Sequence, residues 1–392
     1  MSGAEPRGIA GRDVVIIILN WNGGADTVAC LESLAAADLQ GASVLVVDNG
    51  SRDASIAQVR ARFPEQRILA LPENRGYAGG NNAGMQAALA ESAACVLLLN
   101  NDTRVAPDFL GPLLGAMADS PRSGAVASAI FRLDRPDLLD VAYLDVHLHE
   151  RFPVQLRGVN SLASEGFDRR LEVGAVPGCS LLLRAETLRE VGLFDEAYFA
   201  YHEDVDWCLR ARAAGWGIFF EPFSRVFHRG SGSTGRFSRQ PPTGTWNADL
   251  PGLPNAEPMP WNPVRTYLGM RNTVRLLRTH ADAHERRLFA RALARELPLE
   301  AMALVLGAEG WLRLGRFDWH DVARTYLGEA GDGALSTLRR AAALPLAAAW
   351  RVPRDVVRAV RSGRMGELAE TLRALRDGIL DRPLPLERLG LR

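Results

Sequence analysis

The sequence predicts an α/β protein: a mainly parallel, doubly wound sheet with helices on both faces, followed by a C-terminal α-helical region. Three observations predict it. Apolar runs without alternation recur, each the length of a strand buried on both faces. Segments with helical apolar spacing separate them. Beyond Trp261 the chain turns helical and arginine-rich.

The first run, Val14 to Leu19, ends in Asn20-Trp21-Asn22-Gly23-Gly24, and a helix follows through Leu39. Val44 to Val47 is the next strand, ending in Asp48-Asn49-Gly50-Ser51, with a helix then running to Phe63. Ile68 to Leu71 is a short third strand. It leads into a loop, Asn74-Arg75-Gly76-Tyr77-Ala78-Gly79-Gly80-Asn81-Asn82, and an Ala-rich helix to about Glu91. The fourth strand begins at Val96 and ends in Asn100-Asn101-Asp102-Thr103, before a helix near Pro107. Right-handed crossovers place all four strand-end loops on one edge of the sheet, where open α/β sheets bind ligands. Four such loops in sequence describe a nucleotide pocket. The glycines follow the third strand rather than the first, which argues against a dinucleotide fingerprint.

From Ser120 to about Glu172 the pattern blurs into short β-rich pieces such as Ala125 to Phe131. A kinked strand over Gly174 to Leu183 then carries Pro177-Gly178-Cys179. The helix Ala185 to Val191 follows, and a further helix runs to Ala214 with Glu203, Asp204 and Asp206 in its first turn. A strand over Gly217 to Glu221 precedes a segment that ends in His228. Residues 231–262 form a Gly/Pro-rich loop or lid. The expected division is an N-terminal tail (1–12), a catalytic domain (13–230), the loop or lid (231–262) and a basic helical region (263–392).

Several side chains admit two interpretations at this level. Asn100, Asn101 and Asp102 are either turn formers capping the next helix or a polar cluster whose carboxylate holds Mg²⁺ or Mn²⁺. Asp48 is either a turn former or an acceptor for a base or ribose. Glu203, Asp204 and Asp206 complement the helix dipole, but three carboxylates in four residues also raise one another's pKa, which suits a general base. A lone histidine is usually structural or exposed, but His228 closes an apolar segment before a Gly-Ser-rich loop, which strengthens the case for a ligand. Arg271, Arg275 and Arg278 fall on one helical face, which either contacts an anionic membrane or packs against the acidic N-terminal part.

Composition narrows the function classes. A formal net charge of zero argues against non-specific nucleic-acid binding. The chain has no lysine, and about half of its arginines lie after Pro263, with about a third of the acidic residues. Cys30, Cys95, Cys179 and Cys208 form no C-x-x-C pair, so they read as small buried hydrophobes rather than zinc ligands. No apolar signal region precedes Val14, and no uncharged run of about 20 apolar residues occurs. The nearest, Leu297 to Leu314, is broken by Glu300, Glu309 and Arg313. A cytoplasmic protein, peripheral at the inner face of the cytoplasmic membrane, is expected.

Taken together, Asn20-Trp21-Asn22-Gly23, Val47-Asp48-Asn49-Gly50-Ser51, Asn74 to Asn82, Asn100-Asn101-Asp102, Pro177-Gly178-Cys179 and Glu203-Asp204-Val205-Asp206-Trp207 resemble the family 2 glycosyltransferases of GT-A fold. The bacterial rhamnosyltransferase-like branch is the nearest in pattern. The resemblance covers residues 13–230 and extends more loosely to the helix at Tyr267 to Arg278 and the tail from Arg373 to Gly390. It implies a GT-A catalytic domain, Rossmann-like in its sheet, and an inverting transfer of a sugar, rhamnose among the candidates. The sugar would pass from a nucleotide-diphosphate donor to a saccharide or polyprenyl-diphosphate-linked acceptor in cell-surface polysaccharide synthesis. Asn20, Asn22, Asp48, Asn49, Ser51, Asn74, Gly79, Gly80, Asn81 and Asn101 would bind the donor. Asp102 and His228 would hold a divalent cation, Asp204 with Glu203 would carry the catalysis, and Pro177, Gly178, Cys179, Asp206 and Trp207 would meet the acceptor. One departure stands out: Asn100 occupies the first position of the family's D-x-D motif and removes a charge from the metal site. It keeps a catalytically weak sugar-nucleotide binding protein as one alternative. A nucleotidyltransferase is another, although Asn20 to Gly24 lacks the basic loop such an enzyme uses on pyrophosphate.

Overall fold

The computed structural model describes residues 9–150, 152–229, 263–306 and 364–391. The loop or lid at 231–262, residues 307–363 and most of the N-terminal tail lie outside the described residues.

Valine, isoleucine and leucine without alternation suit a strand covered on both faces. Such residues form β1 (Val14–Asn20), β2 (Ser43–Asp48) and β4 (Cys95–Asn100), with the shorter β3 (Arg67–Ala70) at the sheet edge. β1 lies between β2 and β4, and β3 flanks β2, all parallel. Ile16, Ile17, Ile18, Leu97 and Leu98 are fully buried. Each such side chain contributes about 2 kcal/mol relative to exposure, so a register slip is strongly disfavoured. The helices α1 (Gly24–Ala35), α2 (Ser55–Arg62) and α3 (Gly76–Ala90) make the crossovers.

Beyond β4 come β5 (Thr103–Val105), α4 (Leu110–Ala118), β6 (Ser123–Arg132) and β7 (Leu139–Val141). A separate hairpin, β8 (Tyr143–Val146) with β9 (Val154–Arg157), fills the region that was blurred in sequence, followed by β10 (Leu171–Glu172). β11 (Ser180–Arg184) runs antiparallel between β4 and β6, and the helices α5 (Ala185–Val191) and α6 (Glu203–Ala213) lead to β12 (Gly217–His228). The main sheet is ordered β10-β12-β6-β11-β4-β1-β2-β3, with β5 on β12 and β7 on β6.

Three expectations change. The glycine-rich stretch is a loop only as far as Arg75, and Gly79, Gly80, Asn81 and Asn82 lie inside α3. Glycine weakens a helix by about 1 kcal/mol relative to alanine, yet here it lets the helix sit close on the sheet. A Cβ on Gly80 would lie 2.5 Å from Leu19 Cδ1, and one on Gly84 would lie 2.8 Å from Ile17 Cγ2. The kinked strand shortens to β11, since Gly174 to Cys179 is irregular apart from a bridge between Leu144 and Ala175. The two pieces around Pro222 are one strand, β12, irregular between Glu221 and Arg225, where proline removes a backbone donor.

The C-terminal region supplies α7 (Pro263–His280), α8 (Ala283–Leu306) and α9 (Arg364–Ile379). Phe199 packs with Val264, Tyr267, Met270, Leu389 and Leu391, so this cluster is anchored on the α/β part. The arginines of α7 do not form a free basic face. Arg271 is buried and donates to the Ala197 carbonyl at 2.7 Å, Arg275 pairs with Asp195 at 2.8 Å, and Arg278 reaches the Gly378 carbonyl. Arg271 and Arg275 thus pack against the α/β part, whereas Arg278 turns to the end of α9. No helix among the described residues is long and apolar enough to cross a membrane.

Gly76 has φ +72°, and a Cβ there would lie 2.4 Å from the Phe199 carbonyl oxygen. Gly76→Ala should therefore destabilise by about 2 kcal/mol or more, because the obstacle is backbone. Gly269, inside α7, has open space around it, and Gly269→Ala should be neutral or stabilising by about 0.5 kcal/mol. Thermal unfolding of both variants checks the contrast; equal midpoints would contradict it.

Candidate active site

The carboxyl ends of β1, β2 and β4 bring their polar loops into one hydrogen-bonded network. Asn20 donates through Nδ2 to Asp48 Oδ1 at 2.9 Å and to Ser51 Oγ at 3.0 Å. Its Oδ1 accepts from Thr27 Oγ1, which in turn accepts from Asn101 Nδ2 at 3.0 Å. Ser51 Oγ accepts from the Asn22 backbone, and Asn22 Oδ1 accepts from the Arg52 backbone at 2.9 Å. Asn49 bridges to Asn74 Oδ1 and the Gly76 carbonyl, both at 2.9 Å. Asn74 Nδ2 reaches the Leu391 carbonyl near the C-terminus. Asn20, Asp48 and Asn49 are buried, so these side chains hold the loops, while Asn22 and Ser51 stay partly exposed.

The second group sits where β5 meets β12. Their antiparallel register sets His228 opposite Thr103, and Arg229 N donates to the Asp102 carbonyl at 3.0 Å. His228 Nε2 then lies 3.3 Å from Asp102 Oδ1, and its Nδ1 lies 2.8 Å from Asp140 Oδ2. Burial opposes the charge on this imidazole, but bonds to Asp102 and Asp140 outweigh it and raise its pKa to about 10. Asn100 Oδ1 is buried without a hydrogen-bond partner. Among the described residues no three His, Cys, Asp or Glu side chains gather as a metal cage. A hard cation here would be held by the Asp102 carboxylate and by His228 once it gives up the proton that its two carboxylate neighbours favour, with the remaining positions left to diphosphate oxygens and water. The second nitrogen of His228 is oriented by Asp140, the usual role of an outer carboxylate.

The third group is the start of α6. Glu203 is buried with Oε2 unpartnered; burial first, then the neighbouring Asp204, holds its carboxyl well above the usual range. Asp204 is half-buried, and burial raises its pKa as well, against the opposing bonds from the Gly178 and Val205 amides at 2.8 Å each. Gly178 joins this group to the second one. Its N–H donates to Asp204 Oδ2, while the carbonyl of the adjacent Cys179 accepts from Asn100 N at 2.9 Å. Tyr77 Oη donates to the Gly178 carbonyl at 2.8 Å. One dipeptide thus spans from the end of β4 to the carboxylate on α6.

Two expected acceptor contacts are corrected. Trp207 is fully buried, with Nε1 donating to the Gly192 carbonyl at 2.9 Å. Asp206 is buried between Arg210 and His280, each 2.8 Å away. Both anchor α6 rather than face a ligand; in the first turn of the helix only Asp204 is not buried. Cys179 is a buried thiol whose pKa burial drives well up, and its side chain packs in the apolar core. All four cysteines are free and buried.

Sequence reasoning missed Asp140, Asn272 and His280. Asp140 lies on a short strand in the blurred region, with no pattern to single it out. His280 and Asn272 reach the site from about 70 residues downstream, a pairing only the fold reveals.

The model of glycosyl transferase family 2 matches residues 14–183. An N-acetylglucosaminyl-diphospho-decaprenol L-rhamnosyltransferase of Mycobacterium tuberculosis is 30% identical over 238 residues, covering 56% of this chain and 77% of that protein. The chain belongs to glycosyl transferase family 2. It is a glycosyltransferase of the hexosyltransferase type. A pre-mycofactocin glycosyltransferase from the same organism is 28% identical, over 57% of this chain and 44% of that protein. Among solved structures, the GalNAc-T7 complex with UDP, GalNAc and Mn²⁺ aligns with TM-score 0.51 at 15% identity, over 77% of this chain and 53% of that one. Mannosyltransferase PcManGT of Pyrobaculum calidifontis, in complex with GDP-Man and Mn²⁺, aligns with TM-score 0.50 at 16% identity, over 94% and 87%. At these identities the likeness concerns the fold, and it bears out the GT-A architecture expected of a family 2 chain.

Burial opposes ionisation of Asp206, but the His280 hydrogen bond and Arg210 outweigh it and hold its pKa below the ordinary value. A depressed carboxylate stabilises the fold above its unfolded pKa of about 4, and that contribution disappears as pH falls through the lower folded value. Asp206→Asn should therefore cost about 3 kcal/mol at pH 7 and much less at pH 2. Urea unfolding at both values checks this; an equal loss at each would contradict the ion pair's role.

Proposed function

We propose that this family 2 enzyme catalyses a single inverting displacement. A sugar passes from a nucleotide-diphosphate donor to a hydroxyl of a saccharide or lipid-linked saccharide in cell-surface polysaccharide synthesis. The observation that carries this reading is the Gly178-Cys179 bridge, which sets the Asp204 carboxylate beside the Asn100–Asp102 strand end. Donor binding falls to the Asp48 network. Asp102 and His228 would hold Mg²⁺ or Mn²⁺, which supplies Lewis-acid neutralisation of the departing diphosphate. Asp204 accepts the proton of the acceptor hydroxyl as that oxygen bonds to the anomeric carbon, and the bond from that carbon to the diphosphate oxygen breaks. Burial makes this carboxylate more basic than an exposed one, as a general base requires. Burial and the neighbouring Asp204 push the Glu203 carboxyl well above the usual range, which favours its neutral form beside the base.

L-Rhamnose is the favoured sugar, and an N-acetylglucosaminyl-diphospho-polyprenol the favoured acceptor, because the relative at 30% identity is named for that transfer. A lipid-linked acceptor calls for peripheral membrane contact. The outer face of α9, rather than that of α7, supports it: Leu372, Ile379 and Leu380 are exposed there alongside Arg373 and Arg376. No nucleic-acid partner is proposed.

Asp204→Asn should retain nucleotide-sugar binding and lose transfer by about 10²-fold or more. The assay is release of nucleoside diphosphate from an NDP-rhamnose with the N-acetylglucosaminyl-diphospho-lipid present. Turnover of the variant at the wild-type rate would remove Asp204 from the reaction.

A further inference from the structure

We propose that Asn272, on α7, is a positioning residue that sets the Asp204 carboxylate by clamping the strained turn before it; this rests on Asp204 being the base. Four residues, Phe199 to His202, join the end of the preceding 3₁₀ turn to α6, and three of them have positive φ without being glycine: Phe199 at 64°, Tyr201 at 71° and His202 at 73°. Phe199, with ψ −61°, is the centre of a γ-turn closed by Ala200 N donating to the Tyr198 carbonyl at 2.8 Å, the rare and strained form of that turn. Bulky side chains adopt such backbone only where the surroundings impose it.

Asn272 imposes it. Its side chain is fully buried, and Nδ2 donates to the carbonyls of Tyr198 at 2.9 Å and of Ala200 and Tyr201 at 2.8 Å each. An amide has two hydrogens, so three acceptors share them, and all three carbonyls must point at one nitrogen. Arg271 fixes the amide in turn, donating to Asn272 Oδ1 at 3.0 Å and to the Ala197 carbonyl. Thr273 meets His202 Nε2 at 3.1 Å, and His280 holds Asp206. The turn has a second neighbour, because the Phe199 carbonyl accepts from Ala78 N at 3.0 Å, at the start of α3. Asn272 therefore holds one piece of backbone that touches the donor side through Ala78 and leads within three residues to the base. Nothing in the sequence of α7 beyond its helical spacing announces this.

The test compares wild type with Asn272→Ala in the full chain by two readouts. Hydrogen exchange should quicken in residues 198–206 while β1, β2 and β4 keep their protection. In the transfer assay above, kcat should fall by about 10- to 100-fold, the scale of a slight misplacement of a reacting group, with KM for NDP-rhamnose within about threefold. A merely structural residue would instead lower apparent kcat in proportion to the folded fraction. Where the single variant does not fold, Asn272→Ala with Tyr201→Gly relieves part of the strain, and this pair should fold yet keep the low kcat. Unchanged exchange at 198–206, or a folded variant with wild-type kcat, would overturn the proposal. Absence of turnover in the wild type would instead count against the functional reading, and the exchange readout would still decide whether Asn272 holds the turn.

Discussion

The return of β12 to β5 is the constraint on which the rest of the structure depends. Over a hundred residues separate Asp102 from His228, and the pairing of Thr103 with His228 is what brings them together. The same strand lies parallel to β6, which pairs with β11, and β11 pairs with β4. Every strand bearing on the candidate site is thus tied through one continuous ladder. Because β1, β4 and β11 are apolar along their lengths, polar chemistry is confined to strand ends, and the ladder's register puts those ends on one edge.

The C-terminal helices act within this frame as part of the site's scaffold. On α7, Arg275 pairs with Asp195 and Arg271 donates to the Ala197 carbonyl, and Tyr267 closes the layer by donating to Asp377 on α9 at 2.8 Å. α7 contributes no atom to the reaction as read here. Its contribution is to the geometry of the turn before α6, where a costly backbone shape is stabilised by a buried amide. The cost lies in the α/β part and the compensation on α7 of the C-terminal region, so neither alone specifies the turn.

The parallel core was legible because burial on both faces leaves an unmistakable pattern: each strand from Val14 to Asn100 lies where its apolar run predicts. Asp48, Asp102, Asp204 and His228 stood out in the sequence because each ends an apolar run or opens a helix, and each lies at or just beyond a strand end or in the first turn of α6. The errors share a physical cause. Gly79 and Gly80 look like a loop by intrinsic preference, but the close approach of α3 to Leu19 and Ile17 overrides it. Asp206 and Trp207 lie on the same short helix as Asp204, and sequence alone does not say which side chain of that turn faces inward. The face formed by Arg271, Arg275 and Arg278 has the spacing of a membrane-binding helix and also that of a helix docked on an acidic domain. Asp140 and Asn272 act through distant contacts, which local pattern does not encode.

The central claim is that one carboxylate, Asp204, serves a single displacement on the sugar. The stereochemistry of the product tests it most directly. An NDP-rhamnose of known anomeric configuration would be turned over on the lipid-linked N-acetylglucosamine acceptor, and the new linkage read from the one-bond carbon–proton coupling at the anomeric centre by NMR. The account predicts inversion relative to the donor. Retention would require a covalent intermediate or a front-face route, and would contradict the assignment of Asp204 as a base in a one-step transfer.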